Sequence, residues 1–323
     1  MVLPILLLLT GFVILVKGAD LLVLGSSSIA KRYNVSSLAI GLTVVAFGTS
    51  TPELIVSILS AVNERNDASF GNVFGSNNFN TYLILGTAGL IYPLVVKRNT
   101  IKYEVPLSLF AVALVFVLVN DSSLWGSASN QLSRVDAILL LLTFAFFMYY
   151  IFRLMNRGAD LEESNIRLFT FPVSLGLSLL GLVMLVGGGT LVVENAVTIA
   201  EKYGLSEKLI GLTILAAGTS LPELATSAVA AYRKNTDIAI GNVIGSNIFN
   251  ITLVLGITGL IHPIPFNPVL NFDITVMAVG TVVLMIFMFT INQRKLDRWE
   301  AFLLFAGYLT YIVYQIFHDQ PAA

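Results

Sequence analysis

Two stretches decide how this chain is built: GLTVVAFGTSTPE, residues 41–53, and GLTILAAGTSLPE, residues 211–223. They agree at 9 of 13 positions, and each places a carboxylate, Glu53 or Glu223, behind hydroxyls and a proline inside an otherwise apolar run. The match extends outward without a gap. Residues 16–93 align onto 186–263 at a constant offset of 170, and GNVFGSNNFN (71–80) matches GNVIGSNIFN (241–250) at 8 of 10 positions. A register held this long marks an internal duplication.

The composition places the duplication in a membrane. Of 323 residues, 56% are hydrophobic and 11% charged, and the mean hydropathy is +0.85. Soluble domains carry about 25% charged residues. Runs near the ~20 residues that cross a bilayer as helix fall around 2–24, 36–61, 71–93, 101–120, 132–153, 169–195, 206–231, 238–261, 271–291 and 299–317. The prediction is an all-α membrane protein of ten transmembrane helices. The opening MVLPILLLLT has no basic segment before it, so it reads as a retained span and not a signal peptide.

Five spans per half is an odd number. The second half then enters the membrane from the opposite side, and the two five-helix repeats, 1–155 and 169–323, are inverted. A short charged linker, 156–168, joins them. Inverted repeats with polar, interrupted helices are the architecture of secondary transporters. Alternate loops differ in basic charge: Lys31, Arg32, Lys97, Arg98, Lys102, Arg153, Arg157, Arg167, Arg233, Lys234, Arg294, Lys295 and Arg298 lie on one side, against Arg65, Arg134, Lys202 and Lys208 on the other. The positive-inside rule makes the first set cytoplasmic, with both termini extracytoplasmic and the cell (inner) membrane the expected location.

With no cysteine, thiolate sites and disulfides are excluded. His262 and His318 sit at predicted span ends and read as interfacial. Lys17 and Asp20, three residues apart, read as a mutually neutralising helix pair.

A charge at mid-membrane costs roughly 2.5–3.5 kcal/mol on insertion scales, so it faces a cavity by default. In helical geometry Ala46, Thr49 or Ser50, and Glu53 share a face, as do Ala216, Thr219 or Ser220, and Glu223. Pro52 and Pro222 are expected to bend their helices and free oxygens near Gly48 and Gly218. Asn72, Ser76 and Asn80, with Asn242, Ser246 and Asn250, add amide and hydroxyl oxygens at spacing four. Gly71, Gly75, Gly241 and Gly245 are expected to let that helix approach its neighbour. Carboxylate, amide, hydroxyl and carbonyl oxygen without His or thiolate suits Na⁺, Ca²⁺, Mg²⁺ or Mn²⁺, and calcium over magnesium, because Ca²⁺ tolerates flexible geometry. Protons or Na⁺ competing with Ca²⁺ for two glutamates would couple their fluxes.

These motifs resemble those of the calcium:cation antiporters, sodium/calcium exchanger type. The resemblance implies cation sites at the centre of helices two, three, seven and eight. Glu53 and Glu223 would bind Ca²⁺ and Na⁺, with Thr49, Ser50, Thr219, Ser220, Ser76 and Ser246 as further ligands. The carbonyls of Ala46 and Ala216 would contribute, and Asn80 and Asn250 would complete the centre. It also implies that helices one and six slide across the rest. Some members carry Asp where this chain has Asn250, which points away from potassium co-transport.

The expectation is a Na⁺/Ca²⁺ antiporter that is no enzyme and needs no cofactor. Transported ions and the bilayer are its partners, nucleic acid is not, and it works as a monomer. A proton-coupled Ca²⁺ exchanger and a potassium-dependent exchanger are the alternatives. A cation channel has less use for the repeat, and a serine hydrolase would need a base that neither Ser50 nor Ser220 has nearby.

Overall fold

A computed structural model describes residues 2–126, 129–155, 167–203, 216–289 and 294–318. The chain is an all-helical multi-pass membrane protein. Its helices are α1 (Val2–Arg32), α2 (Ser37–Thr49), α3 (Thr51–Val62), α4 (66–91), α5 (Thr100–Val119), α6 (Arg134–Met155), α7 (Phe171–Lys202), α8 (Ala216–Gly218), α9 (Leu221–Tyr232), α10 (Thr236–Ile261), α11 (Pro268–Phe287) and α12 (Arg298–His318). Among the described residues seven of these are long and apolar enough to cross a membrane, and α2 with α3, bent by 44°, makes an eighth. Helix α4 is helical throughout, but its first half, NDASFGNVFGSNN, is polar. The predicted 206–231 span begins outside the described residues, as does most of the 156–168 linker.

Helix α10, which carries the second copy of the asparagine motif, is the most buried of the seven spans: 78% of its most apolar stretch is buried, against 22% in α1. Exposed Phe, Leu, Ile and Val side chains cover α1, α6 and α7, as expected where hydrocarbon replaces water. The repeats interlock through α2 and α10: a Cβ on Gly41 would lie 3.2 Å from the Gly241 Cα, and one on Gly245 2.8 Å from the Ala46 Cβ. Gly241 and Gly245 thus do what their spacing predicts. A Cβ on Gly71 or Gly75 would meet nothing within 4 Å among the described residues, so no such close approach is seen there.

A different row of glycines joins α1 to α7. Of Gly11, Gly18 and Gly25, seven apart, the first two meet Gly188 and Gly181 and the third meets Ser174 and Ser178; a Cβ on Gly18 would sit 2.9 Å from the Gly181 carbonyl oxygen, and one on Gly25 2.6 Å from that of Ser174. Backbones in hydrocarbon gain van der Waals contact by such approach, since no hydrophobic effect drives them together there. This seam makes α1 and α7 one unit.

Two short antiparallel strand pairs tie the repeats together outside the helices. β1 (Leu94–Val95) pairs with β4 (Lys295–Leu296), and β2 (Gln131–Leu132) with β3 (Ile264–Pro265). Each pair crosses from one half to the other, which fixes the loop ends and was not foreseen by an all-helical reading.

The Lys17–Asp20 pairing does not form. Asp20 is bonded instead by Arg233 at the end of α9, with Nε at 2.6 Å from Oδ1, and Lys17 is exposed. Two guanidinium nitrogens, Nε and Nη2, converge on that one oxygen, a charge-assisted contact that outcompetes a helical neighbour. Asn235 Nδ2 adds a bond to Ser27 Oγ at 3.0 Å.

Candidate cation site

Pro52 and Pro222 do more than bend their helices. The helix stops at Thr49, turns at Ser50 (φ −84, ψ 5), and restarts as α3 with Pro52 in its first turn. The second copy turns at Ser220 (φ −91, ψ 6) and restarts as α9 with Pro222. Proline is at home in a first turn, where its missing N–H costs nothing. Each break therefore aims one helix C-terminus, rich in unpaired carbonyls, and one helix N-terminus at the same place. Glu53 and Glu223 lie in the first turns of the restarted helices.

The glutamates are fully buried, and each is held by the other repeat. Ser220 Oγ donates to Glu53 Oε1 at 3.0 Å, and Ser50 Oγ to Glu223 Oε1 at 3.0 Å. Ser76 and Ser246 approach the same Oε1 atoms from their own halves at 3.4 and 3.5 Å. Among the described residues no basic side chain pairs with either acid; the ion pairs are Lys97–Asp237, Arg233–Asp20 and Lys295–Asp297.

Asn72 and Asn242 act as struts. Asn72 Nδ2 donates to the Glu53 carbonyl at 3.1 Å and to Ser57 Oγ at 2.9 Å, while its Oδ1 accepts from Thr219 Oγ1 at 3.4 Å. Asn242 repeats this with the Glu223 carbonyl at 3.3 Å, Ser227 Oγ at 2.9 Å and Thr49 Oγ1 at 3.1 Å. Ala46 contributes a carbonyl that accepts from Ser50 N at 2.9 Å and lies 3.3 Å from Thr49 Oγ1. Ala216 opens α8 at the matched position. By contrast, the Thr51 hydroxyl returns to the Phe47 carbonyl at 2.9 Å, a local bond back across the break from α3 to α2.

Asn80 and Asn250 sit at a feature that periodicity does not signal. Both α4 and α10 widen into a π-helical turn, Phe79–Ile84 and Phe249–Val254, at matched positions. Such turns recur at functional sites because they rotate side chains out of the α-helical register. Here Asn80 Nδ2 donates to Asn247 Oδ1 at 3.1 Å, and Asn250 Nδ2 to Asn77 Oδ1 at 3.0 Å. Asn77 and Asn247 were missed from sequence; the signal available was only that both motifs read GSN.

Four oxygens of the predicted ligand residues are left over. Glu53 Oε2, Glu223 Oε2, Asn80 Oδ1 and Asn250 Oδ1 are among the buried side-chain atoms that have no hydrogen-bond partner among the described residues. They form two pairs related by the repeat. No group of three or more His, Cys, Asp or Glu side chains is gathered among the described residues, so the oxygen-rich centre combines two carboxylates with neutral oxygen.

The helices and this oxygen-lined centre define a multi-pass membrane protein with a buried polar site between two matched halves. The chain belongs to the sodium/calcium exchanger protein family, whose pattern it matches over residues 3–153 and 173–317. It is 36% identical over 314 residues to a putative antiporter, CaxA, of Alkalimonas amylolytica, with 94% of this chain and 95% of that one covered. It is 34% identical over 341 residues to the sodium/calcium exchanger MaX1 of Methanosarcina acetivorans, covering 95% and 97%. Among solved structures it resembles the sodium-calcium exchanger NCX_Mj soaked with Na⁺ and Sr²⁺, with TM-score 0.82 and 33% identity over 97% of this chain and 98% of that one.

Proposed function

We propose that the protein is a secondary-active antiporter that exchanges Na⁺ for Ca²⁺ by alternating access at the two-glutamate centre. The observation that carries this is the set of four buried, unpartnered oxygens on Glu53, Glu223, Asn80 and Asn250. An unpaired buried carboxylate costs several kcal/mol, and two of them side by side call for positive charge. One Ca²⁺ balances both and accepts six to eight oxygens. Thr49, Ser50, Ser76, Thr219, Ser220 and Ser246, with the Ala46 and Ala216 carbonyls, supply the rest. Na⁺ competes for the same carboxylates, and a centre that takes one load or the other couples the two gradients.

In this reading the chain has ten membrane helices in two inverted repeats. Helix α4 and the segment ending in α9 are the two spans that polarity or the limits of the described residues hide from a length-and-hydropathy count. The basic loops face the cytoplasm, both termini lie outside, and the protein works as a monomer in the cell membrane. The ions are substrates; no cofactor takes part and no bond is made or broken.

Alternating access draws support from an asymmetry. Helix α1 packs along α9 and carries the Asp20–Arg233 pair, whereas the matched helices, α7 and α3, make no comparable contact among the described residues. The position matched to Asp20 is Thr190, and that matched to Arg233 is Asn63. One mouth is thus sealed by a bond the other lacks. A half-exposed ion pair contributes on the order of 1 kcal/mol. Arg233→Gln is therefore expected to raise exposure of the α1–α9 seam about two- to fivefold. The cysteine-free chain allows a direct reading. Thr226, seven residues before Arg233 and on its helix face, is replaced by Cys and labelled with an impermeant maleimide; equal rates with and without Arg233→Gln would remove the pair's gating role.

Purified protein reconstituted in Na⁺-loaded vesicles tests the exchange itself. Ca²⁺ uptake is expected when external Na⁺ is replaced by choline, and not with matched Na⁺. Uptake driven by a pH gradient without Na⁺ would assign the proton-coupled reading, and a K⁺ requirement the potassium-dependent one.

A further inference from the structure

Asn77 and Asn247 lie beside the four unpartnered oxygens and contribute none of them. Both are buried. A carboxamide has two N–H donors at one end and an acceptor at the other, so its orientation is set by the polarity of its neighbours. For Asn77 that polarity comes from a group that cannot invert. Its Nδ2 lies 3.2 Å from the main-chain carbonyl of Asn247, and a carbonyl only accepts. Asn77 Oδ1 therefore faces the other way, where only the Nδ2 of Asn250 can satisfy it, at 3.0 Å. Asn250 Oδ1 is left at the opposite end, buried and unpartnered.

The matched relay has a different anchor. Asn247 Nδ2 donates to Thr81 Oγ1 at 2.8 Å, and Asn247 Oδ1 accepts from Asn80. The position matched to Thr81 is Ile251, so a side-chain hydroxyl serves here where a main-chain carbonyl serves in the other half.

We propose that Asn77 is a positioning residue that locks the Asn250 carboxamide with its oxygen toward the cation, whereas the Thr81 hydroxyl, which can donate or accept, imposes no such polarity on Asn247 and Asn80. The inference rests on the centre being the cation site. An amide free to rotate offers N–H as readily as oxygen, and N–H repels a cation. Locking that amide gives a centre with two charges one more oxygen dipole of fixed sign. It thereby sets how well that centre competes for a hard divalent ion.

The test compares apparent KM and maximal rate for Ca²⁺ in Na⁺-loaded vesicles across the native chain, Asn77→Leu, Asn250→Asp and the double variant. Leucine removes the acceptor and frees the Asn250 amide, so KM is expected to rise on the order of tenfold, the scale of a stripped buried partner. A carboxylate has oxygen at both ends and needs no orienting. Asn250→Asp in the Asn77→Leu background is therefore expected to bring KM back to within about threefold of native. With Asn77 intact the same aspartate faces an acceptor, and its KM is expected to exceed that of the double variant. Native KM in Asn77→Leu, or a double variant no better than the single, overturns the proposal. Should Asn77→Leu fail to give monodisperse protein, Asn77→Ser carries the same comparison, because a hydroxyl does not impose one polarity. Failure of the native chain to take up Ca²⁺ overturns the exchange reading and this inference together. Native uptake with an unaltered Asn77→Leu overturns the positioning role alone.

Discussion

Glu53→Gln and Glu223→Gln are each expected to reduce Na⁺-dependent Ca²⁺ uptake to the background of empty vesicles. Either change removes one of the two charges that balance Ca²⁺, and does so in a fully buried place where water cannot compensate. Removing one partner of a buried charge interaction costs about 3–5 kcal/mol, which is a factor of roughly one hundred to several thousand in affinity. Glutamine also carries a donor end where a carboxylate has only acceptors, so if its oxygen accepts from Ser220 or Ser50, which now donates at 3.0 Å, its N–H₂ faces the ion. The repeat makes the two variants equivalent in kind. Near-normal exchange by both would move the site elsewhere. Because glutamine keeps the shape, each variant is expected to purify as a monodisperse protein, separating loss of binding from loss of fold.

Gly181→Leu is expected to have the other large effect, this time on assembly. A Cβ there would lie 2.6 Å from the Leu22 nitrogen and 2.7 Å from the Gly18 carbonyl oxygen, both main-chain atoms that cannot swing aside. A whole leucine forces α1 and α7 apart along the glycine seam. Overpacking a close contact costs about 1–3 kcal/mol, occasionally more, and here the seam joins the two longest helices among the described residues. The measurement is the thermal midpoint of detergent-purified protein with the rate of exchange beside it; both are expected to fall. Gly187, with nothing within 4 Å of its added Cβ, is the control, and Gly187→Leu is expected to behave as the native chain. Equal midpoints for the two leucine variants would show that the seam does not hold the pair.

These two predictions draw on different kinds of legibility. Glu53 and Glu223 stand out in the sequence because a carboxylate in an apolar run is expensive, and because the unbroken offset of 170 puts both in the same context. The membrane class follows from the same kind of evidence. The length of an apolar run and the period of a helix are local properties, readable wherever the chain goes. Observed α5, α6, α10 and α12 lie within a few residues of the runs that hydropathy marks.

Who bonds whom is not local. The serine that holds Glu53 is 167 positions away, and the amide that receives Thr49 is 193 away. Nearest-neighbour spacing points Asp20 to Lys17, yet the fold supplies Arg233, 213 positions along the chain. The proline break was foreseen as a bend, and only the turn at Ser50 shows that two helix ends meet there. The π-helical turns at Phe79–Ile84 and Phe249–Val254 carry no pattern that sets them apart from α-helix.

By itself, then, the sequence determined the membrane class, the duplication and the residue types of the centre, since these follow from composition, period and repeat. Tertiary structure alone decided which oxygens remain free. An amide or hydroxyl has as many possible roles as it has neighbours, and only packing makes Asn72 and Asn242 struts, pairs Asn77 with Asn250 and Asn247 with Asn80, and leaves the last oxygens of Asn80 and Asn250 without a partner among the described residues.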